Sequence, residues 1–282
     1  MKLRKSGTCM STETRNPRSL NLSEMSAVEI VQLMNEEDRS VAEAVSACAD
    51  SIARMAEVYA ETIRNGNRVF YLGAGTSGGL ALLDAAEMPP TFGISADTVI
   101  ALTAEEGIDY TGNAEDSQSK AVEQLKAYGL CANDFVIGLA ASGSTPYVVE
   151  GLRYAKTVGA VTAAIACNEE SVIGKLADYK AEVLTGPEVL TGSTRLKAGT
   201  AEKMILNMLS TTAMVLNGKV MSNFMVDMKP SNAKLMKRAI SIVTEVTGCE
   251  KAQAEEAMHS TGNHVKSAIE YIMQVQNRRG GD

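Results

Sequence analysis

The chain of 282 residues contains no Trp, and aromatic residues make up only 4% of it. That scarcity argues against the stacking platforms of carbohydrate clefts and single-stranded nucleic-acid surfaces. Positive charge is short as well: 27 Lys and Arg against 34 Asp and Glu leave a formal net charge of -7. Nucleic acid and anionic membranes call for a basic patch, so neither partner is expected. No apolar run reaches the roughly 18 residues of a membrane span. The longest candidate, 204–216, is interrupted by Asn207, Ser210 and Thr211. The basic start, MKLRKSGTCM, has no apolar stretch behind it, so no signal peptide is expected. Cys9, Cys48, Cys131, Cys167 and Cys249 show no CxxC spacing, which suggests neither a zinc site nor a disulfide framework. His259 and His264 do not share a helix face in the manner of i,i+4 metal ligands. These absences point to a cytoplasmic protein with reduced cysteines, no metal and a small-molecule partner.

What is present is a 45% hydrophobic content, enough for a sizeable core. Residues before about 23 read as a polar arm. Apolar spacing predicts helices over 27–34 and 41–63, with Ser40 as N-cap and Asn65-Gly66 as a stop. From Arg68 onward short apolar runs alternate with amphipathic ones. Strands are expected at 69–72, 98–102, 135–139 and 161–166, with a further one at 179–184. Helices are expected at 77–87, 117–127 and 145–158. Such alternation predicts an α/β fold, a mostly parallel sheet sandwiched by helices. A long helix over 196–216, in the core or at a dimer interface, follows, and the chain is helical again from Asn232, broken at Gly248 and Gly262. The expected division is an N-terminal arm and helices at 1–66, an α/β domain at 67–230 and a small helical region at 231–282.

Two turns carry the chemistry. GAGTSG, Gly73 to Gly78, joins a strand to a helix start, where backbone N–H groups and the helix dipole favour an anion. It also fits the dinucleotide fingerprint, but that fingerprint wants an acid at the end of the second strand. Asp97 precedes that strand and Ala101-Leu102 occupy its end, so no nucleotide cofactor is expected. The second turn, Ala141-Ser142-Gly143-Ser144-Thr145-Pro146, again sets hydroxyls beside glycine before a helix. Taken alone, Ser142 and Thr145 would serve as helix caps. Two such turns converging at the carboxyl ends of parallel strands suit a phosphate monoester, with Thr76, Ser77, Ser142, Ser144 and Thr145 as candidate contacts. Glu87 follows on the first of these helices, ahead of Pro89-Pro90, which should end it.

The combination resembles the sugar isomerase (SIS) fold, and over nearly its whole length the chain resembles the N-acetylmuramic acid 6-phosphate etherases. The matching segments include TETRN from Thr12, MNEEDRSV from Met34, GAGTSG with LLDAAEMPPTFG from Gly73, and AEDS from Ala114. They continue with AASGSTPYV from Ala140, TGSTRLKAGTAEKMILNMLST from Thr191, and GKV with NFMVDM from Gly218. The resemblance implies a homodimeric lyase of amino sugar catabolism that cleaves the lactyl ether of a phosphorylated muramic acid without a cofactor. It implies Glu87 as the acid that protonates departing lactate and Glu115 as the base at C2. Met88, Pro89 and Pro90 are the apolar neighbours expected to keep Glu87 protonated. Apart from the family, Glu87 reads as a helix-end glutamate and Glu115 as an N-terminal helix acid.

The chain departs from the family pattern at Gly79 and Ser144, where the family usually has Arg. Arg195 and Lys197 offer positive charge to the site or across a dimer interface, or form a surface basic pair. Lys197 is carried forward as a candidate substrate contact. The alternatives are a non-catalytic phosphosugar-binding regulator, or a phosphosugar enzyme, such as an aldose–ketose isomerase, with another substrate.

Overall fold

In the computed structural model, which describes residues 11–105 and 113–279, the short apolar runs pair into one sheet. Strands β1 (Val69–Gly73), β2 (Val99–Thr103), β3 (Phe135–Leu139), β4 (Val161–Ala166) and β5 (Tyr179–Glu182) are all parallel, in the order β2-β1-β3-β4-β5. β1 and β3 are buried along their length, as central strands covered on both faces must be. Alternation divides the core. Val69, Tyr71, Phe135 and Ile137 face one apolar cluster, and Phe70, Leu72 and Val136 face the other.

Helices α2 (Ala49–Arg64), α3 (Gly75–Phe92) and α7 (Lys197–Leu216) cover the first face, and α4 (Lys120–Ala127), α5 (Pro146–Val158) and α6 (Val172–Leu176) cover the second. The expected α/β sandwich is therefore found, with helices added at both ends. α1 (Ala27–Ser46) precedes it, and a short hairpin of β6 (Val220–Met221) and β7 (Phe224–Met225) leads to α8 (Ala233–Thr247), α9 (Lys251–Ser260) and α10 (Val265–Arg279). These last helices close over their own apolar core of Val243, Met258 and Ile269, which also takes in Val226 and Met228.

Element boundaries depart from expectation where polar or proline residues were read as stops. α1 runs without a break through the polar Asn35–Ser40 stretch, capped at Ser26 by a reciprocal bond with Glu29. Ser40 is thus no N-cap. Its hydroxyl donates to the Glu37 carbonyl inside the helix, and the turn falls at Ala47-Cys48. α3 also continues past Glu87, through Pro89 and Pro90, to Phe92. Those prolines withhold N–H groups only from the carbonyls of the last turns, and Gly93, at φ 69°, closes the helix by donating to the Pro89 carbonyl. Glu115 sits in a 3-10 turn, Asn113–Asp116, ahead of a helix that starts at Lys120 rather than Ser117.

MKLRKSGTCM with Cys9, most of the 105–113 stretch and the final Gly-Gly-Asp lie outside the described residues. Among the described residues, no helix is long and apolar enough to cross a membrane.

Candidate functional site

The strand order places a switch point between β1 and β3: the chain leaves β1 toward β2 on one side and returns to β3 on the other. Open α/β sheets bind ligands in the crevice outside the carboxyl ends of such strands. A cavity of about 370 Å³ lies there. Thr76 and Ser77 from the start of α3 and Ser142, Ser144, Thr145 and Pro146 from the β3–α5 turn line it, together with Glu115, Asp116, Glu13 and Thr194. The two hydroxyl turns that the sequence offered as a pair are brought together.

Local geometry keeps their donors available. Gly78 is the first residue of α3 whose N–H reaches back to Ala74, so the N–H groups of Thr76 and Ser77 lack intrahelical partners. Thr145 holds the N-cap position of α5 but makes no capping bond with its side chain, and Ser142 Oγ accepts from the N–H of Ser144 at 3.3 Å. The hydroxyls are therefore not spent on capping the helix. Gly143, at φ +75°, is the pivot of this turn, and a Cβ there would collide with Ser171.

Several acids that the sequence reading did not assign surround the cavity. Glu105 is buried and accepts the N–H of Gly75 at 3.0 Å. β2 extends one residue farther than expected, to Thr103, so an acid does stand just beyond its end. That acid is committed to the glycine turn itself. Glu13 reaches the cavity because the N-terminal arm is tied down: Asn168 donates from one side-chain nitrogen to Thr12 Oγ1 at 3.0 Å and to the Ala141 carbonyl at 3.1 Å. Beneath the floor, Ser77 Oγ donates to the buried carboxylate of Glu202 at 2.9 Å. Burial pushes the Glu202 carboxyl up to about 7, and the hydrogen bond from Ser77 opposes the shift. The signal for Glu202 was periodicity, since positions 198, 201, 202 and 205 all fall on the buried face of α7.

Two of the expected site residues lie elsewhere. Lys197 does not line the cavity. It is 4% exposed, its ammonium group lies 2.6 Å from Glu37, and its backbone N–H donates to Glu188. It is no surface basic residue, because the turn into α7 points it toward Glu37 of α1 rather than toward solvent. Arg195, its neighbour in the motif, is exposed and absent from the lining. Glu87 is exposed on α3, outside the cavity. Twelve residues of helix from Gly75 place it roughly 18 Å away along the axis. Met88 turns into the core instead of enclosing it. Among the described residues that line the cavity there is no Lys, Arg or His.

Comparison with known proteins follows the same outline. Residues 33–167 match the model of the SIS domain, 129–212 match a second SIS domain model, and 222–276 match the C-terminal lid domain of glucokinase regulatory protein. The N-acetylmuramic acid 6-phosphate etherase of Histophilus somni is 50% identical over 265 residues, 93% of this chain and 88% of the relative. That of Mycolicibacterium smegmatis is 50% identical over 269 residues, 92% of this chain and 88% of the relative. Among solved structures, a phosphoheptose isomerase from Francisella tularensis aligns with a TM-score of 0.51 at 17% identity, over 67% of this chain and 98% of that one. The phosphoheptose isomerase GmhA of Neisseria gonorrhoeae gives 0.51 at 17%, over 68% and 99%. At such identity these two structures share the fold alone.

Proposed function

This chain belongs to the family of N-acetylmuramic acid 6-phosphate etherases, and from that premise we infer how its cavity carries out the reaction. It is a carbon–oxygen lyase that acts on a phosphorylated amino sugar, cleaving the D-lactyl ether of N-acetylmuramic acid 6-phosphate to N-acetylglucosamine 6-phosphate and D-lactate. With etherases at 50% identity over nearly the whole chain, the alternative of a non-catalytic regulator is set aside.

In the open-chain sugar the C1 aldehyde acidifies the C2 hydrogen. A base removes that proton, and the electron pair forms the C2–C3 double bond as the C3–O bond breaks. The departing lactate oxygen takes a proton, and water then adds at C3 while C2 is reprotonated. The protein supplies a positioned base and an acid. In our reading the phosphate is held by the hydroxyls of Thr76, Ser77, Ser142, Ser144 and Thr145 and by the converging helix starts. Glu115 is the base at C2. The observation that carries this reading is that Glu115 and both hydroxyl turns line one cavity at the switch point.

Glu87 enters the reaction from a second copy. Its distance along α3 keeps it from the cavity of its own chain, and it stands beside the exposed Leu82 and Leu83. Met208, Val215 and Leu216 on α7 are exposed as well. Apolar surface of this kind supports a homodimer in which α3 and α7 are covered. A phosphorylated sugar and unpaired cysteines both fit the cytoplasm.

The test is D-lactate release from N-acetylmuramic acid 6-phosphate by the purified protein. Release by the wild type and its loss in Glu115→Gln would support the assignment. Full activity in that variant would remove Glu115 as the base.

A further inference from the structure

The reaction scheme leaves one buried carboxyl beneath the cavity without a task. Glu202, in the second turn of α7, is 1% exposed, and Ser77 Oγ is its hydrogen-bond partner at 2.9 Å. Among the described residues no cation pairs with it: Lys197 is turned to Glu37 at 2.6 Å, and Lys203 to Asp84 at 3.6 Å. The titratable group facing it from the end of β4 is Cys167, whose thiol also feels Glu188, before α7, and Cys48, before α2. From α3 the facing group is Ser77 itself. Asp84 lies farther along that helix, held by Tyr71 and Ser210. On the cavity side, Glu13, Glu115 and Asp116 add negative charge.

A serine hydroxyl has one proton to give. With Glu202 ionised, Ser77 directs that proton down to the carboxylate and presents lone pairs to the cavity, the wrong polarity for a phosphate. With Glu202 protonated, the carboxyl O–H donates up to Ser77 Oγ, and the Ser77 proton turns to the cavity. A phosphate dianion entering among carboxylates also raises the cost of the Glu202 charge.

We propose that Glu202 takes up a proton from solvent when the sugar phosphate binds, which turns Ser77 from an acceptor into a donor toward the phosphate. Glu202 is thus a positioning residue that acts through Ser77. The inference rests on reading the cavity as the phosphate pocket. Because burial holds the Glu202 carboxyl at about 7 before ligand arrives, the linkage lies on the alkaline side of neutrality: affinity falls as pH rises through that value. Near pH 8 the phosphate is already dianionic, its second ionisation lying at about 6, so its own titration contributes little there.

The experiment is calorimetric titration of the full chain with N-acetylglucosamine 6-phosphate near pH 8, in buffers of different ionisation enthalpy. The wild type is expected to take up close to one proton per site, and its affinity to fall by up to about tenfold per pH unit above neutrality. In Glu202→Gln, whose amide N–H₂ imitates the protonated carboxyl, uptake should vanish and affinity become flat between about pH 7 and 8.5. Ser77→Ala gives a second readout that leaves the carboxyl in place: binding weakens and its pH dependence diminishes. Binding by the wild type without proton uptake, or equal uptake in wild type and Glu202→Gln, would overturn the inference while leaving the phosphate pocket intact. No binding by the wild type would overturn the pocket assignment and the inference with it.

Discussion

The ammonium group of Lys197 lies 2.6 Å from a carboxylate oxygen of Glu37, in a contact where the two side chains are 5% and 11% exposed. It ties the first turn of α7 to the middle of α1. Burial works against the Glu37 charge, but hydrogen bonds from Lys197 and Asn16, with Arg18 nearby, hold its carboxyl below the ordinary range. Lys197→Met should therefore cost about 1–2 kcal/mol in denaturant unfolding, since it removes one charged partner of a part-buried carboxylate that keeps Asn16 and Arg18. Adding Glu37→Gln should recover part of that loss. A variant with unchanged stability and impaired ligand binding would return Lys197 to the site.

Glu115→Gln keeps the shape of the side chain and removes the base. Lactate release should fall at least about a hundredfold, while affinity for N-acetylglucosamine 6-phosphate changes little. A coupled lactate assay and calorimetry separate the two effects.

If Glu87 serves the partner's cavity, Glu87→Gln and Glu115→Gln are each inactive alone but complement one another. Mixed dimers contain one cavity with both carboxylates intact, so co-refolded equimolar chains should recover about a quarter of wild-type activity. A mixture as inactive as its parents would place Glu87 outside the chemistry or in its own chain's site.

Ser142→Ala should weaken product binding by about 1 kcal/mol, roughly fivefold, through loss of one hydrogen bond to the phosphate. Ser142 Oγ also accepts from Ser144, so thermal unfolding must be followed in parallel. Equal loss of affinity and stability would mean the hydroxyl only shapes the turn.

Glu202 also makes a stability prediction. Burial pushes its folded carboxyl up to about 7 from the ordinary glutamate value of 4.5, so between those values the folded state holds more protons than the unfolded one. Stability must then fall as pH rises across that interval and level off above it. Glu202→Gln should remove this slope and be more stable than the wild type near pH 8, by up to about 3 kcal/mol. Parallel pH profiles for the two proteins would show that Glu202 is not held protonated by the fold.

The strands were legible because parallel strands buried on both faces read as short apolar runs, and Val69–Gly73 and Phe135–Leu139 are wholly buried. The two hydroxyl turns are legible as a pair: either alone reads as a helix cap or a nucleotide turn, but two at the carboxyl ends of parallel strands suit one phosphate. Their meeting could be inferred only through the strand order. The place of Lys197 is not legible in sequence because its partner, Glu37, is 160 residues away, and the arm that carries Glu13 reaches the cavity through Asn168, 156 residues from Thr12. Glu202 is not legible in the sequence because a glutamate in a helix is ordinary until its face is known to be inside. The spacing of Glu87 along its helix is legible in the sequence, but its role as the acid comes from the family resemblance alone, and no single chain shows which copy's cavity it serves.

α3 begins at the glycine turn of the cavity and ends against the C-terminal region, where Lys229 donates to the Pro90 carbonyl and Gly93 meets the Asp227 backbone. Its 18 residues span about 27 Å. Had the prolines ended the helix at Met88, that span would be about 6 Å shorter. The helix is the strut that sets how far the last three helices stand from the hydroxyl turns, and residue 93, with no room for a side chain, is where the strut is seated.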